Sequence, residues 1–245
     1  MTLLSEQAED IRALVGRADP GAAWAVGGPE GTHAGSHPRD SPGNGDAVLD
    51  VGGLAAVLAL WPVIGSLVEE GTLQLHTPLA AYGDPAASRI PAGTTAHHLL
   101  THSDGAAALT GLAEHLGGGP LHDLAATRVW QPLGMTGTRF EAGTLRAPLA
   151  DLVRFLRHVV SPAGAIRAWA AESLRIRTGE LTPARGLLWH PAPHGVWAHP
   201  GPAPGGPALW VCPSRRRWAL LLPGGGPATS LRSAFRDAVF RPDPA

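Results

Sequence analysis

Twelve histidines, one cysteine and no lysine set the chemistry open to this chain. All 19 basic residues are arginine, so no side chain can act as an amine base. His199, in the string His199-Pro200-Gly201, is one of twelve imidazoles, a group that titrates near neutral pH unaided and so can move a proton. Ser103 stands between His102 and Asp104. Adjacency does not make these three a triad, since the groups must converge in space, and short polar side chains in a row also build turns. Ser66 has Glu69, not a base amine, three residues on, and Ser214 precedes Arg215, Arg216 and Arg217, whose guanidinium groups stay protonated. Cys212 reads as a buried structural thiol. His98 and His102 are spaced to share a helix face, and His190, His194 and His199 can approach across a hairpin. Neither group has an HExxH pattern or a carboxylate cluster beside it, so packing is the simpler reading; no metal and no other cofactor is expected.

Those groups need elements to hold them. The chain has 245 residues, 44% hydrophobic and 16% charged, which suits one large domain or two lobes sharing a core. A formal net charge of -1 gives no electrostatic reason to expect nucleic acid or a membrane surface as partner. With a single cysteine there can be no internal disulfide frame. The first residues carry acids where a signal peptide needs bases, and the longest apolar stretch, 54–68, is broken by Pro62 and too short to span a bilayer. A cytoplasmic protein is expected.

Leu3, Leu4, Ala8, Ile11 and Leu14 lie at helical spacing. Residues 21–34 read as a hairpin about Gly-Gly-Pro-Glu-Gly, and 37–45 as a loop. Helices are predicted over 54–70 (stopping at Gly71), from 94–101, and over 110–116, 121–130, 149–160 and 163–177. After Pro183 the texture changes to short Trp-, Val- and Leu-rich runs at 186–190, 196–199, 207–212 and 218–222, as in an antiparallel sheet. Residues 229–240 close the chain as a helix capped by Thr229 or Ser230.

Several strings converge on one family. LVEEGTLQLHTPLAAY (67–82), HHLLTHSDG (97–105), QPLGMTGTRF (131–140), GLLW (186–189), HPG (199–201) and GGPALWVCP (205–213) occur in one order across most of the chain. Together they resemble the serine β-lactamase and penicillin-binding-protein superfamily, in its class C β-lactamase and esterase branch. The resemblance implies an acyl-enzyme site: a serine nucleophile, a lysine three residues later on the same helix face, and a Tyr-x-Asn segment. In this chain Gly53 stands at the serine position and Ala56 at the lysine position. The stretch due to hold Tyr-x-Asn runs from Ala106 directly into the next helix, and the only tyrosine, Tyr82, matches a loop elsewhere. By the same resemblance Gly53, Ala56, His102, Ser103, Asp104, His199, Pro200 and Gly201 line the pocket.

The expected fold is α/β: a β-lactamase-like antiparallel sheet flanked by the terminal helices, with a helical lobe inserted between the N-terminal hairpin and the C-terminal strands. A single domain over 1–245 is expected, its sheet region formed by 1–50 and 180–245 and its helical region by 51–179. The expected function is that of a homologue without the serine acyl-enzyme machinery, binding a small molecule in the old pocket. One alternative is a repurposed isomerase, cyclase or lyase of specialised metabolism using His199 or Asp104 for acid–base work. A second is a residual esterase with an atypical nucleophile such as Ser103. Trp189, Trp197, Trp210 and Trp218 are expected mostly in the core, with one or two free to line a pocket. Arginine without lysine, amid abundant Ala, Gly and Pro, fits the coding bias of a GC-rich bacterium. The residues leave the oligomeric state open.

Overall fold

The computed structural model describes residues 5–36, 47–83, 90–102, 105–161, 163–179, 183–200, 205–225 and 229–241. The loop predicted at 37–45 lies outside the described residues, as do Ser103, Asp104 and Gly201.

Six antiparallel strands form the main sheet: β1 (Ala23–Gly28), β2 (Gly31–Ser36), β6 (His190–Ala192), β7 (Val196–Pro200), β8 (Ala208–Cys212) and β9 (Arg217–Leu222), in the order β2-β1-β9-β8-β7-β6. The chain's two ends therefore meet at β1 and β9, where Ala25 faces Leu220. All residues of β1, β8 and β9 are buried, because both faces of the sheet are covered. The outer face takes Trp24, Val26, Trp210, Ala219 and Leu221 against α1 (Ser5–Ala18) and α8 (Thr229–Val239). Phe235 of α8 lies between Trp24 and Trp210, with ring centroids 5.9 and 5.8 Å away. The last carbonyls of α8 are taken by arginine: Arg217 donates to Val239 O at 2.9 Å and Arg215 to Phe240 O at 3.2 Å. Cations at a helix C-terminus also complement its dipole.

The inner face carries the helical lobe. Its spine is a continuous helix that tightens and loosens: a 3₁₀ turn at Gly52–Leu54, a π turn at Ala56–Leu60, then α2 (Trp61–Glu69), stopped at Gly71 with φ +75°. Pro62, which has no N–H to give, falls where the pitch changes. From Val57 to Gly65 every residue is buried. Around this spine lie α3 (Ala96–Thr101), α4 (Ala106–Gly117), α5 (Leu121–Ala125, running into a π turn at Ala126–Trp130), α6 (Leu149–Val160) and α7 (Arg167–Ser173). Trp61 contacts Phe155, Trp169 and Trp189, at ring-centroid distances of 6.2, 6.1 and 5.7 Å. No helix among the described residues is long and apolar enough to cross a membrane.

Three sequence expectations need correction. The helix predicted over 163–177 shrinks to Arg167–Ser173, because the chain first turns tightly: Gly164 donates to Ser161 O, and a Cβ at Gly164 would lie 1.9 Å from His158 O. Of the strand predicted at 186–190 only His190 joins the sheet; Gly186 instead donates across a turn to Trp189 O at 2.7 Å. A second small sheet was not foreseen: β3 (Val48–Asp50), β4 (Arg139–Glu141) and β5 (Thr144–Pro148), in the order β3-β5-β4. Its hairpin turns on Ala142 and Gly143 at φ +50° and +80°. That geometry usually calls for Asn-Gly or Asp-Gly, so Ala-Gly gave a weak signal.

Two glycines gauge the packing. A Cβ at Gly65 would lie 2.4 Å from the Trp169 ring, whereas at Gly16 it would meet nothing within 4 Å. Gly65→Ala is expected to lose about 1–3 kcal/mol by overpacking. Gly16→Ala is expected to gain on the order of 0.5–1 kcal/mol from helix propensity. Urea unfolding followed by circular dichroism checks both signs.

Candidate functional site

Three elements bound the region where the sequence placed a site. The first is the head of the spine helix. Asp50 Oδ1 accepts the Gly52 N–H at 2.9 Å and so caps the turn that carries Gly53. Ala56 follows one turn later, and both residues are half-buried. Neither offers a nucleophile or a base.

The second element is α3. Thr95 caps it by accepting the His98 N–H at 3.2 Å. His102 ends it, exposed, with its ring stacked on His98 at 4.2 Å and 10°. A carbonyl must accept, so the 2.7 Å contact between His102 Nδ1 and His98 O puts the proton on Nδ1 and the lone pair on Nε2. A second imidazole pair, His76 and His97, lies with ring centroids 4.7 Å apart and planes tilted by 33°. Burial, together with the neighbouring His76, holds the His97 pKa below its ordinary value. The chain then turns through Gly105, where a Cβ would lie 2.5 Å from Leu99 O, and α4 begins at once. Tyr82 lies in a turn elsewhere, its hydroxyl accepting from Gln74 N at 2.8 Å and donating to Gln74 O at 3.2 Å.

The third element is β7. His199 is buried among the inner-face residues, and its Nδ1–H donates to Leu188 O at 2.9 Å. Its Nε2 therefore carries the lone pair. Burial pushes its pKa down, so the ring is neutral at pH 7. Leu188 holds more than this bond: its own N–H donates to Leu100 O of α3 at 2.7 Å. One residue, at the unusual φ of +64°, thus ties α3 to β7. Beside it Trp189 is fully buried, edge-on to His199 at 6.3 Å, and its Nε1–H has no hydrogen-bond partner among the described residues. The buried indoles of Trp61, Trp130, Trp169 and Trp218 all donate to a carbonyl or hydroxyl. Sequence reading did not find Leu188 or the tilted pair His76 and His97. Only a backbone conformation marks Leu188, and His76 and His97 are distant in sequence.

Ser103 and Asp104, named as possible nucleophile and acid, and Gly201 and the Pro200 side chain lie outside what is described. Ser66 is bound into its own helix, donating to Val63 O at 2.8 Å. Ser214 sits by Cys212, its Oγ 3.5 Å from the buried thiol, in the turn after β8. His194 occupies the β6–β7 turn, at the other end of β7 from His199. Among the described residues no group of three or more His, Cys, Asp or Glu is arranged to hold a metal ion.

The depressed histidines give stability a sign with pH. Burial pushes His190, half-buried on β6, down to about 4, and His199 shifts the same way. Below about pH 6.5 the unfolded chain binds protons that the folded one refuses, so stability falls with pH until the folded rings also titrate. The unfolding temperature is expected to drop from pH 7 to pH 5, and His190→Gln to shrink that drop. Calorimetry at the two pH values decides: an unchanged drop in the variant removes His190 from the account.

No family model matches the chain, and no curated protein matches it. Solved structures do. A β-lactamase from Mycobacterium bovis is 23% identical, with 94% of this chain and 97% of that one covered at a TM-score of 0.72. A β-lactamase from Sulfitobacter sp. EE-36 is 11% identical, with 97% and 98% covered at 0.77. A D-alanine carboxypeptidase from Burkholderia cenocepacia is 17% identical, with 95% and 99% covered at 0.70. At such identities the likeness is one of fold. The expected architecture, an antiparallel sheet between terminal helices and a helical lobe, is thus the one these enzymes share: the chain has the serine β-lactamase and penicillin-binding-protein fold.

Proposed function

We propose that this protein keeps the β-lactamase fold without its acyl-enzyme chemistry, and binds a small neutral molecule between the head of the spine helix, the end of α3 and β7. The observation that carries the reading is chemical: the chain has no lysine, and the helix head bears Gly53 and Ala56. Removing a hydroxyl and an amine from a cleft leaves it larger and less polar, suited to an apolar or aromatic body. The neutral His199, the orphan N–H of Trp189 and the Nε2 of His102 supply a few polar contacts near it. A single buried cysteine, Cys212, suits the cytoplasm. Carried over from the solved neighbours is their fold, not their substrates.

One observation favours a second reading. A buried, neutral imidazole with a fixed Nδ1–H and a free Nε2 lone pair is a general base in waiting. With Asp104 as partner it would serve an isomerase, cyclase or lyase rather than a hydrolase.

The protein is expected to keep its unmodified intact mass after incubation with a fluorophosphonate or with a penicillin, and to leave a nitrophenyl ester uncleaved. A serine adduct would overturn the reading and return the chain to the hydrolases. For the binding half, neutral aromatic fragments found by ligand-observed NMR are expected to bind at least about tenfold more weakly to Ala56→Leu, whose added methyls fill the cleft. Fragments that ignore that substitution bind elsewhere.

A further inference from the structure

A second place on the molecule has the chemistry of a binding site and lies away from the cleft just described. Strand β8 pairs with β7 so that Ala208 faces Pro200, near the candidate site, and the strand then runs to Cys212 and its turn at Pro213–Arg215. That turn is therefore at the opposite end of the sheet. Here the C-terminal end of α6, one side of α7 and the β8–β9 turn enclose a groove of about 410 Å³.

Its walls divide by chemistry. Val159, Val160, Ala170 and Leu174 form an apolar floor, with the exposed methyl of Ala171 at its side. Three arginines, Arg167, Arg175 and Arg216, line it, and no carboxylate does so among the described residues. Arg175 is shared with Glu172 at 3.6 Å. Arg167 and Arg216 have no ion pair or side-chain hydrogen bond among the described residues; the charge of Arg216 also acts on the exposed Glu30 carboxylate. Arg216 stands at φ +48° in the turn, a position easier for glycine or asparagine. A shallower hollow of about 300 Å³ adjoins at Ser161 and carries Arg154 and Arg157. These two are already engaged, Arg154 by Asp151 at 2.7 Å and Arg157 by Pro29 O at 2.9 Å.

A chain of net charge -1 has thus put unpaired guanidinium groups over an apolar slot, with nothing negative in its lining. The larger cavity between α1 and α8, about 540 Å³, lacks this bias, since Asp10 and Asp237 line it along with its arginines. Guanidinium groups recognise a carboxylate through paired, charge-assisted hydrogen bonds, and the apolar floor recognises a hydrocarbon. We propose that this groove binds a small anionic amphiphile, the carboxylate of a medium-chain aliphatic acid, with its head on Arg167 and Arg216 and its chain on Val159, Val160 and Leu174.

The test uses the whole chain and decanoate, titrated calorimetrically below its micelle concentration. Saturable binding of one decanoate per chain is expected. Decanol (same tail, no charge) and decyltrimethylammonium (same tail, opposite charge) are expected to bind at least about tenfold more weakly. The double variant Arg167→Gln/Arg216→Gln is expected to lose about tenfold or more in decanoate affinity at an unchanged unfolding temperature. Ala171→Trp, which fills the slot and leaves every charge, is expected to abolish binding. Equal binding of decanol, full affinity in the double variant, or no saturation by decanoate each overturns the proposal. Because none of these residues borders the Gly53 cleft, failure here leaves the reading of that cleft standing.

Discussion

From Val57 to Gly65 the spine helix has no wet side, and that one fact governs much of the molecule. A helix buried all round cannot leave backbone carbonyls to water, so each one freed by irregular pitch needs a partner from the protein. This helix frees some, because it passes from a π turn into an α-helix at Pro62. Indole N–H groups take them. Trp130 donates to Leu58 O at 2.9 Å and Trp169 to Trp61 O at 2.8 Å, while Trp61 gives its own N–H to Ser173 Oγ at 2.9 Å. Three large rings from three elements are thereby fixed in rotation as well as in position. An apolar side chain of the same volume would fill the space and leave the carbonyl unpaired, a loss of about 1–3 kcal/mol.

The same chain of bonds reaches the candidate site. Ser173, which holds Trp61, also accepts the Leu187 N–H at 3.1 Å. The next residue is Leu188, bonded forward to His199 and sideways to Leu100. A left-handed leucine costs about 1–2 kcal/mol and persists only where its surroundings determine it. Here both its backbone groups are committed, one to each wall. Burial holds the His199 pKa down and outweighs the bond to Leu188, which by itself favours the protonated ring.

Much of this was legible in the sequence, and what was not has a physical cause. Several elements fall on their periodic runs: α6 on 149–160, and β7, β8 and β9 on their Trp- and Val-rich runs. The hairpin of β1 and β2 announced itself by its glycine turn. Short elements fixed by tertiary contact did not. Thr144–Pro148 becomes a strand because Val48–Asp50 and Arg139–Glu141 pair with it, and Gly186–Trp189 leaves the sheet because Leu188 is needed between two walls. At the site, Gly53 and Ala56 sit at a helix head as the motif order implied, and His199 faces inward. The bonds that fix the His199 tautomer come from residues with no chemical signature at all.

The frame of the fold does not rest on the side chains at the head of the spine helix. A nucleophile and base held in a cleft are costly to a folded protein, since a half-buried amine must be desolvated and kept close to a hydroxyl. Nothing in the spine depends on them. Its first turn is capped by Asp50, its freed carbonyls by tryptophans, and its apolar faces by the sheet and α4 to α7. Gly53 and Ala56 at its head contribute no side-chain polar group to the bonds that hold the helix. The scaffold and the reaction are therefore separable in this architecture.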